Sequence, residues 1–129
     1  MKNEGKQSGI KGIIGITSTG TGYVTSAGFD TDIQIEPQFL NTALHGDEVE
    51  FFVFPKVGRE RLSGEVIRVS HRAKMEFVGT VAKKKGSAFA FVIADDKRMY
   101  TDIFISSAES IKIQSTWKVL VRIKEWNDP

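Results

Sequence analysis

The 129-residue chain has no cysteine, only 3 prolines and only 2 histidines. Without cysteine there is no disulfide framework, no thiolate zinc site and no cysteine nucleophile. His45 and His71 stand far apart in sequence, without a carboxylate cluster beside either, which argues against zinc. No apolar run approaches the ~18 residues that a membrane span needs. Met1 to Gly12 is polar and lysine-containing, so it does not read as a secretory signal, and a cytoplasmic protein with no membrane partner is expected. A phosphate-binding loop is missing too, because Gly20-Thr21-Gly22 lies inside a strand pattern and no Gly-Lys-Ser/Thr follows it. Asp30/Asp32 and Asp95-Asp96 read as solvated turn residues, leaving no catalytic constellation. A strong charge of one sign is also absent: 18 basic against 16 acidic residues give +2. The distribution is uneven. Residues 1–72 hold 8 Lys/Arg against 9 Asp/Glu, whereas residues 73–129 hold 10 against 7 and include Lys83-Lys84-Lys85. Such a run is ordinarily just a solvated turn, so its neighbours must decide what it does.

What the chain does have is alternation. Val49, Phe51 and Val53 interleave with Glu50, Phe52 and Phe54; Val119, Val121 and Ile123 interleave with Leu120, Arg122 and Lys124. Ile67 and Val69 alternate with Arg68 and Ser70. These are strand patterns rich in β-branched and aromatic residues. Turn formers separate them at Ser18-Thr19-Gly20, Ala27 to Asp30, Pro55 to Gly58 and Asp95-Asp96-Lys97. Helical signal is short: Glu36-Pro37 can open a turn or two that Gly46 closes, and Ser106 with Glu109 makes a weak capping box.

The chain also repeats itself. Asp32-Ile33-Gln34-Ile35 matches Asp102-Ile103-Phe104-Ile105, and each Asp is followed 17 residues later by a strand, at Val49 and Val119. Upstream, Gly12-Ile13-Ile14 pairs with Gly79-Thr80-Val81, and Gly22-Tyr23-Val24 with Ala90-Phe91-Val92. Each repeat reads strand, strand, strand, short helical turn, strand, and the first adds a fifth strand over Leu62 to Arg72. Five short strands with a small helix between the third and fourth are the OB-fold pattern. An all-β chain of two tandem OB barrels is expected, the second lacking its last strand. The expected layout is a flexible segment at 1–9, a first barrel at 10–72, a linker at 73–76 and a truncated second barrel at 77–129. An open last edge would make the second barrel the less stable, or let it borrow a strand in an exchanged dimer.

Parity assigns the faces. Gly20, Gly22 and Val24 suit a crowded interior, leaving Thr21, Tyr23 and Thr25 outside. Carried to the second repeat, this puts Ala88, Ala90 and Val92 inside and Phe89 and Phe91 outside. Ile103 and Ile105 then point inward, and Asp102 and Phe104 outward. The opposite parity would make the phenylalanines core, at the cost of burying Asp102 and exposing Ile103 and Ile105. Outward rings beside lysines form a platform on which unpaired bases stack while ammonium groups meet phosphates. Phe89, Phe91 and Phe104 are the candidate stacking residues, with Lys83, Lys84 and Lys85 for phosphates. The first repeat is poorer, with Tyr23 and nearby Lys11, because Thr21 and Gln34 stand where the second has Phe89 and Phe104.

At these residues the sequence resembles the tandem cold-shock domains at the front of the ribonuclease R branch of the ribonuclease II family. The matching stretches are Gly20–Val24, Asp32–Ile35, Asn41–Asp47, Gly64–Ile67, Phe77–Val81, Phe89–Ile93 and Asp102–Ile105. The resemblance covers roughly residues 10–129; its motifs are weak singly and specific in their order and duplication. It implies single-stranded RNA as partner, with Phe89 and Phe91 in a first ribonucleoprotein-like motif and Phe104 in a second. It also implies a separate C-terminal nuclease domain of the same protein, a 3′-to-5′ exoribonuclease in which aspartates hold magnesium. No cofactor is expected for the stretch in hand. Thr116-Trp117 replaces Gly46-Asp47, so an irregular turn is expected there. A stand-alone cold-shock RNA chaperone and a β-barrel protein-interaction module remain open as alternatives.

Overall fold

In a computed structural model, residues 7–56, 58, 61–84, 87–106, 113–124 and 126 are described. The chain divides into two compact units, one within Met1–Lys74 and the other Met75–Lys124. In the first unit β1 (Gln7–Ile16), β2 (Gly22–Thr25), β3 (Ile33–Ile35), β4 (Glu48–Val53) and β5 (Gly64–His71) form a five-stranded sheet in the order β3-β2-β1-β4-β5. A single 3-10 turn, Pro37–Phe39, lies between β3 and β4, where proline can start a turn because its missing N–H has no partner to lose. In the second unit β6 (Glu76–Ala82), β7 (Ala90–Ala94), β8 (Ile103–Ile105) and β9 (Lys118–Arg122) form a four-stranded sheet in the order β8-β7-β6-β9. These are two tandem OB-type sheets, and the second has no fifth strand among the described residues.

The repeat survives at the level of register. Gly12 pairs with Val49 and Gly79 with Val119. Val24 pairs with Ile33 and Val92 with Ile103; Tyr23 pairs with Gln34 and Phe91 with Phe104. Gly12 and Gly79 are glycine for one reason. A Cβ on Gly12 would lie 2.5 Å from Val24 Cγ1 and 2.7 Å from the Thr25 carbonyl. On Gly79 it would lie 2.6 Å from Val92 Cγ1 and 2.5 Å from the Ile93 carbonyl. The β1–β2 and β6–β7 pairs can pack only without that atom.

Alternation fills each interior. Ile14, Val24, Ile33, Ile35, Val49 and Phe51 are fully buried in the first unit, and Ala90 and Val92 in the second, with Val81 nearly so. The expected inward placement of Ala88 does not hold: β7 begins only at Ala90, so Ala88 lies before the pleat and is exposed. Ile67 and Val69 are half-buried on β5, while Arg68 and Ser70 are exposed, as their alternation implies. The pairing skips Ile67 between Arg68↔Glu50 and Val66↔Phe51, and this bulge makes Val66 the buried residue. The Ser106–Glu109 capping box depends on residues outside the described ones, as does part of the Pro55 to Gly58 turn.

The turn before the fourth strand of each unit keeps one frame. Gly46 N–H donates to the Ile14 carbonyl and Ile14 N–H to Asp47; Thr116 N–H donates to Val81 and Val81 N–H to Trp117. The expected irregularity at Thr116-Trp117 is therefore absent from the backbone. Thr116 adopts φ 73° where Gly46 adopts φ 89°, so threonine occupies a left-handed position without changing the turn. The side chains differ completely. Asp47 is buried and accepts from Leu44 N–H at 2.8 Å, Ala73 N–H at 2.9 Å and the Arg72 guanidinium, tying the end of β5 to the turn. Trp117, at the same register, is exposed.

Candidate nucleic-acid interface

β7 and β8 present Phe91 and Phe104 outward, and Phe89 immediately precedes β7. Their inward neighbours Ala90, Val92, Ile103 and Ile105 are buried, which forces the alternate residues out. Phe89, Phe91 and Phe104 are 50%, 43% and 53% exposed. They form one cluster, with the Phe104 ring centroid 5.4 Å from Phe89 and 5.6 Å from Phe91. Interplanar angles of 41° and 62° give a tilted, edge-on arrangement typical of aromatic pairs, and each ring keeps exposed surface. The outward parity of all three is as the alternation implied.

The lysines are less uniform. Lys83 follows Ala82, the register partner of Phe91, but its ammonium donates to the Ile113 carbonyl at 3.4 Å and its backbone N–H to Ser115. Lys84 is exposed in the turn leading to Phe89. Lys85 lies outside the described residues. Three other cations of this unit are held by acids: Lys118 by Asp95 at 2.8 Å, Arg122 by Glu76 at 3.4 Å and Arg98 by Asp96 at 2.9 Å. The Asp96 hydrogen bond holds the Arg98 guanidinium above its ordinary pKa.

The first unit places Tyr23 half-buried on β2 and Lys11 exposed on β1, directly across from Glu50. Glu50 also pairs with Arg68, and Asp32 accepts from the Thr25 hydroxyl at 3.2 Å. Carboxylates thus border this face, as Asp102 borders the phenylalanine face. His45 has a structural job, its Nδ1 accepting the Ile16 N–H at 2.9 Å. Among the described residues, no group of three or more His, Cys, Asp or Glu could hold a metal ion. No helix among them is long and apolar enough to cross a membrane.

Three features escaped the alternation. Val78 and Leu120, cross-strand partners, are 45% and 63% exposed, and Ile93 beside them is 50% exposed, so an aliphatic patch adjoins the rings. Parity could have found it, since all three carry the outward phase. Trp117 is exposed although Asp47, at the same register in the first unit, is buried. Arg61 places its guanidinium 5.0 Å from the Tyr23 ring centroid, and no sequence period points to it because it comes from a loop.

Residues 91–129 match the family model described as cold shock domain. No curated protein matches. Among solved structures, Mycoplasma genitalium RNase R in complex with ribose methylated single-stranded RNA superposes with a TM-score of 0.76 at 23% identity, over 92% of this chain and 19% of that one. The fold is shared with RNase R. Its apo form gives a TM-score of 0.75 at 22% identity, over 92% of this chain and 19% of that chain. Yeast Ssd1, a pseudonuclease, gives 0.72 at 18% identity, over 91% and 20%. The chain therefore spans about a fifth of the length of RNase R and of Ssd1.

Proposed function

We propose that this chain is a single-stranded RNA-binding region of an RNase R-like 3′-to-5′ exoribonuclease, acting in the cytoplasm and passing RNA to a catalytic domain elsewhere in the protein. The observation that carries the reading is the Phe89–Phe104–Phe91 cluster, exposed at two adjacent strands of an OB-type sheet and the residue leading into one of them. Ring faces accept any base, so such a surface binds without reading sequence. Lys84 and, more weakly, Lys83 supply charge for phosphates, and Lys85 belongs to the same run. The shared fold with an RNase R that is solved with single-stranded RNA points the same way.

Three stacked bases at ~1–3 kcal/mol each, offset by ordering of a flexible strand, suit micromolar or weaker affinity. With about three phosphates neutralised, the log–log salt slope for single strands is expected near −2. Titrating labelled oligo-RNA against the wild type and Phe91→Ala tests the reading. Loss of affinity in the variant supports it, and equal affinity refutes it.

A protein-interaction module is the second reading, and the Val78–Leu120–Ile93 patch favours it, because aliphatic side chains suit protein partners better than bases. Leu120→Ser separates the two. It leaves RNA affinity unchanged under the first reading and matters only for a protein partner under the second.

A further inference from the structure

We propose that Arg61 and Tyr23 form a second stacking subsite for single-stranded RNA, in which a guanidinium plane serves where the other unit uses a second ring. The inference rests on the RNA-binding reading above and adds a residue and a subsite to it.

The two units differ at one register position. Phe91 faces Phe104 across β7 and β8, and Tyr23 faces Gln34 at the same register across β2 and β3. An isolated tyrosine beside an amide offers one stacking surface rather than two. The connection from β4 to β5 then brings a third group to that row. Gln34 N–H donates to the Leu62 carbonyl at 3.0 Å, and Gln34 bridges to Ser63 in a parallel sense. Ser63 is anchored in turn by accepting the Phe54 N–H at 2.8 Å. With residues 62 and 63 fixed to β3, residue 61 emerges over the neighbouring strand. There the guanidinium lies 5.0 Å from the Tyr23 centroid, within cation–π range.

Arg61 is exposed while Tyr23 is half-buried, so the guanidinium lies on the solvent side of the ring. A planar guanidinium on a ring leaves its second plane open to a base and its edge N–H groups open to a phosphate. No acidic partner of Arg61 is recorded among the described residues, in contrast to Arg68, Arg72, Arg98 and Arg122. On a face bordered by Asp32 and Glu50, this charge also favours an approaching phosphate.

The test titrates single-stranded RNA long enough to occupy both units against the full chain carrying Arg61→Ala, Arg61→Lys, Tyr23→Ala and the Arg61→Ala/Tyr23→Ala pair. Arg61→Ala and Arg61→Lys are each expected to weaken binding by at least about fivefold, because lysine keeps the charge but not the plane. In the Tyr23→Ala background, Arg61→Ala is expected to add less than about twofold, as for two halves of one subsite. Thermal unfolding of each variant runs alongside. Unchanged or tighter binding by Arg61→Ala, full affinity in Arg61→Lys, or a loss of stability without a loss of affinity each overturns the inference. Phe91→Ala/Phe104→Ala in the same titration keeps the two claims apart. If that variant binds normally, the RNA reading itself fails; if it binds weakly while the Arg61 variants are normal, only the subsite fails.

Discussion

Phe104 touches both other rings, whereas Phe89 and Phe91 each touch Phe104. Removing Phe104 therefore strips one stacking surface and loosens the other two. Phe104→Ala is expected to reduce RNA affinity more than Phe91→Ala does, by at least about fivefold, as read by anisotropy titration. Both positions are about half exposed, so circular dichroism should show unchanged folding. Asp47 makes the opposite case, a residue with a structural role and no exposure. Asp47→Ala strands the half-buried Arg72 guanidinium and the Leu44 and Ala73 N–H groups. A cost of about 3–5 kcal/mol to the first unit is expected in denaturant unfolding. The outward phase of the phenylalanines was legible in the sequence because period-two alternation runs unbroken through β7 and β8. Ala88 departs from that period because β7 begins only at Ala90. Arg61 was invisible, since a loop has no period and its position depends on hydrogen bonds to β3.

At the scale of elements, the turn before β9 reuses the backbone of the turn before β4 with a threonine in a left-handed conformation. A β-branched residue there is strained by roughly 1–2 kcal/mol. Thr116→Gly is expected to stabilise the second unit by about 1 kcal/mol after glycine's own entropic cost, seen as a raised midpoint of thermal unfolding. A lowered midpoint would show that the threonine side chain makes a compensating contact. β9 hydrogen-bonds only to β6 within its sheet, whereas β4 lies between β1 and β5. Amides of β9 are accordingly expected to exchange faster than those of β4. Equal protection measured by hydrogen exchange would mean that another strand covers the β9 edge, as in an exchanged dimer. The succession of strands along both units was legible because the two repeats share spacing. The β5 bulge was not, because skipping one residue reverses parity without altering composition.

For the whole molecule, two OB-type units on one chain carry unequal surfaces. The second has three exposed rings and the Lys83-Lys84-Lys85 run; the first has Tyr23 under Arg61, bordered by carboxylates. Formal charge alone, +2, would not have suggested a polyanion partner. The placement of rings on adjacent strands does so, and that placement follows from sheet register. The most direct measurement is a titration of labelled single-stranded RNA against the wild type and the Phe91→Ala/Phe104→Ala variant at one fixed salt concentration. At least a tenfold loss, roughly, is expected when two stacking surfaces disappear together. Equal affinity of the two proteins would contradict the base-stacking function assigned to this surface.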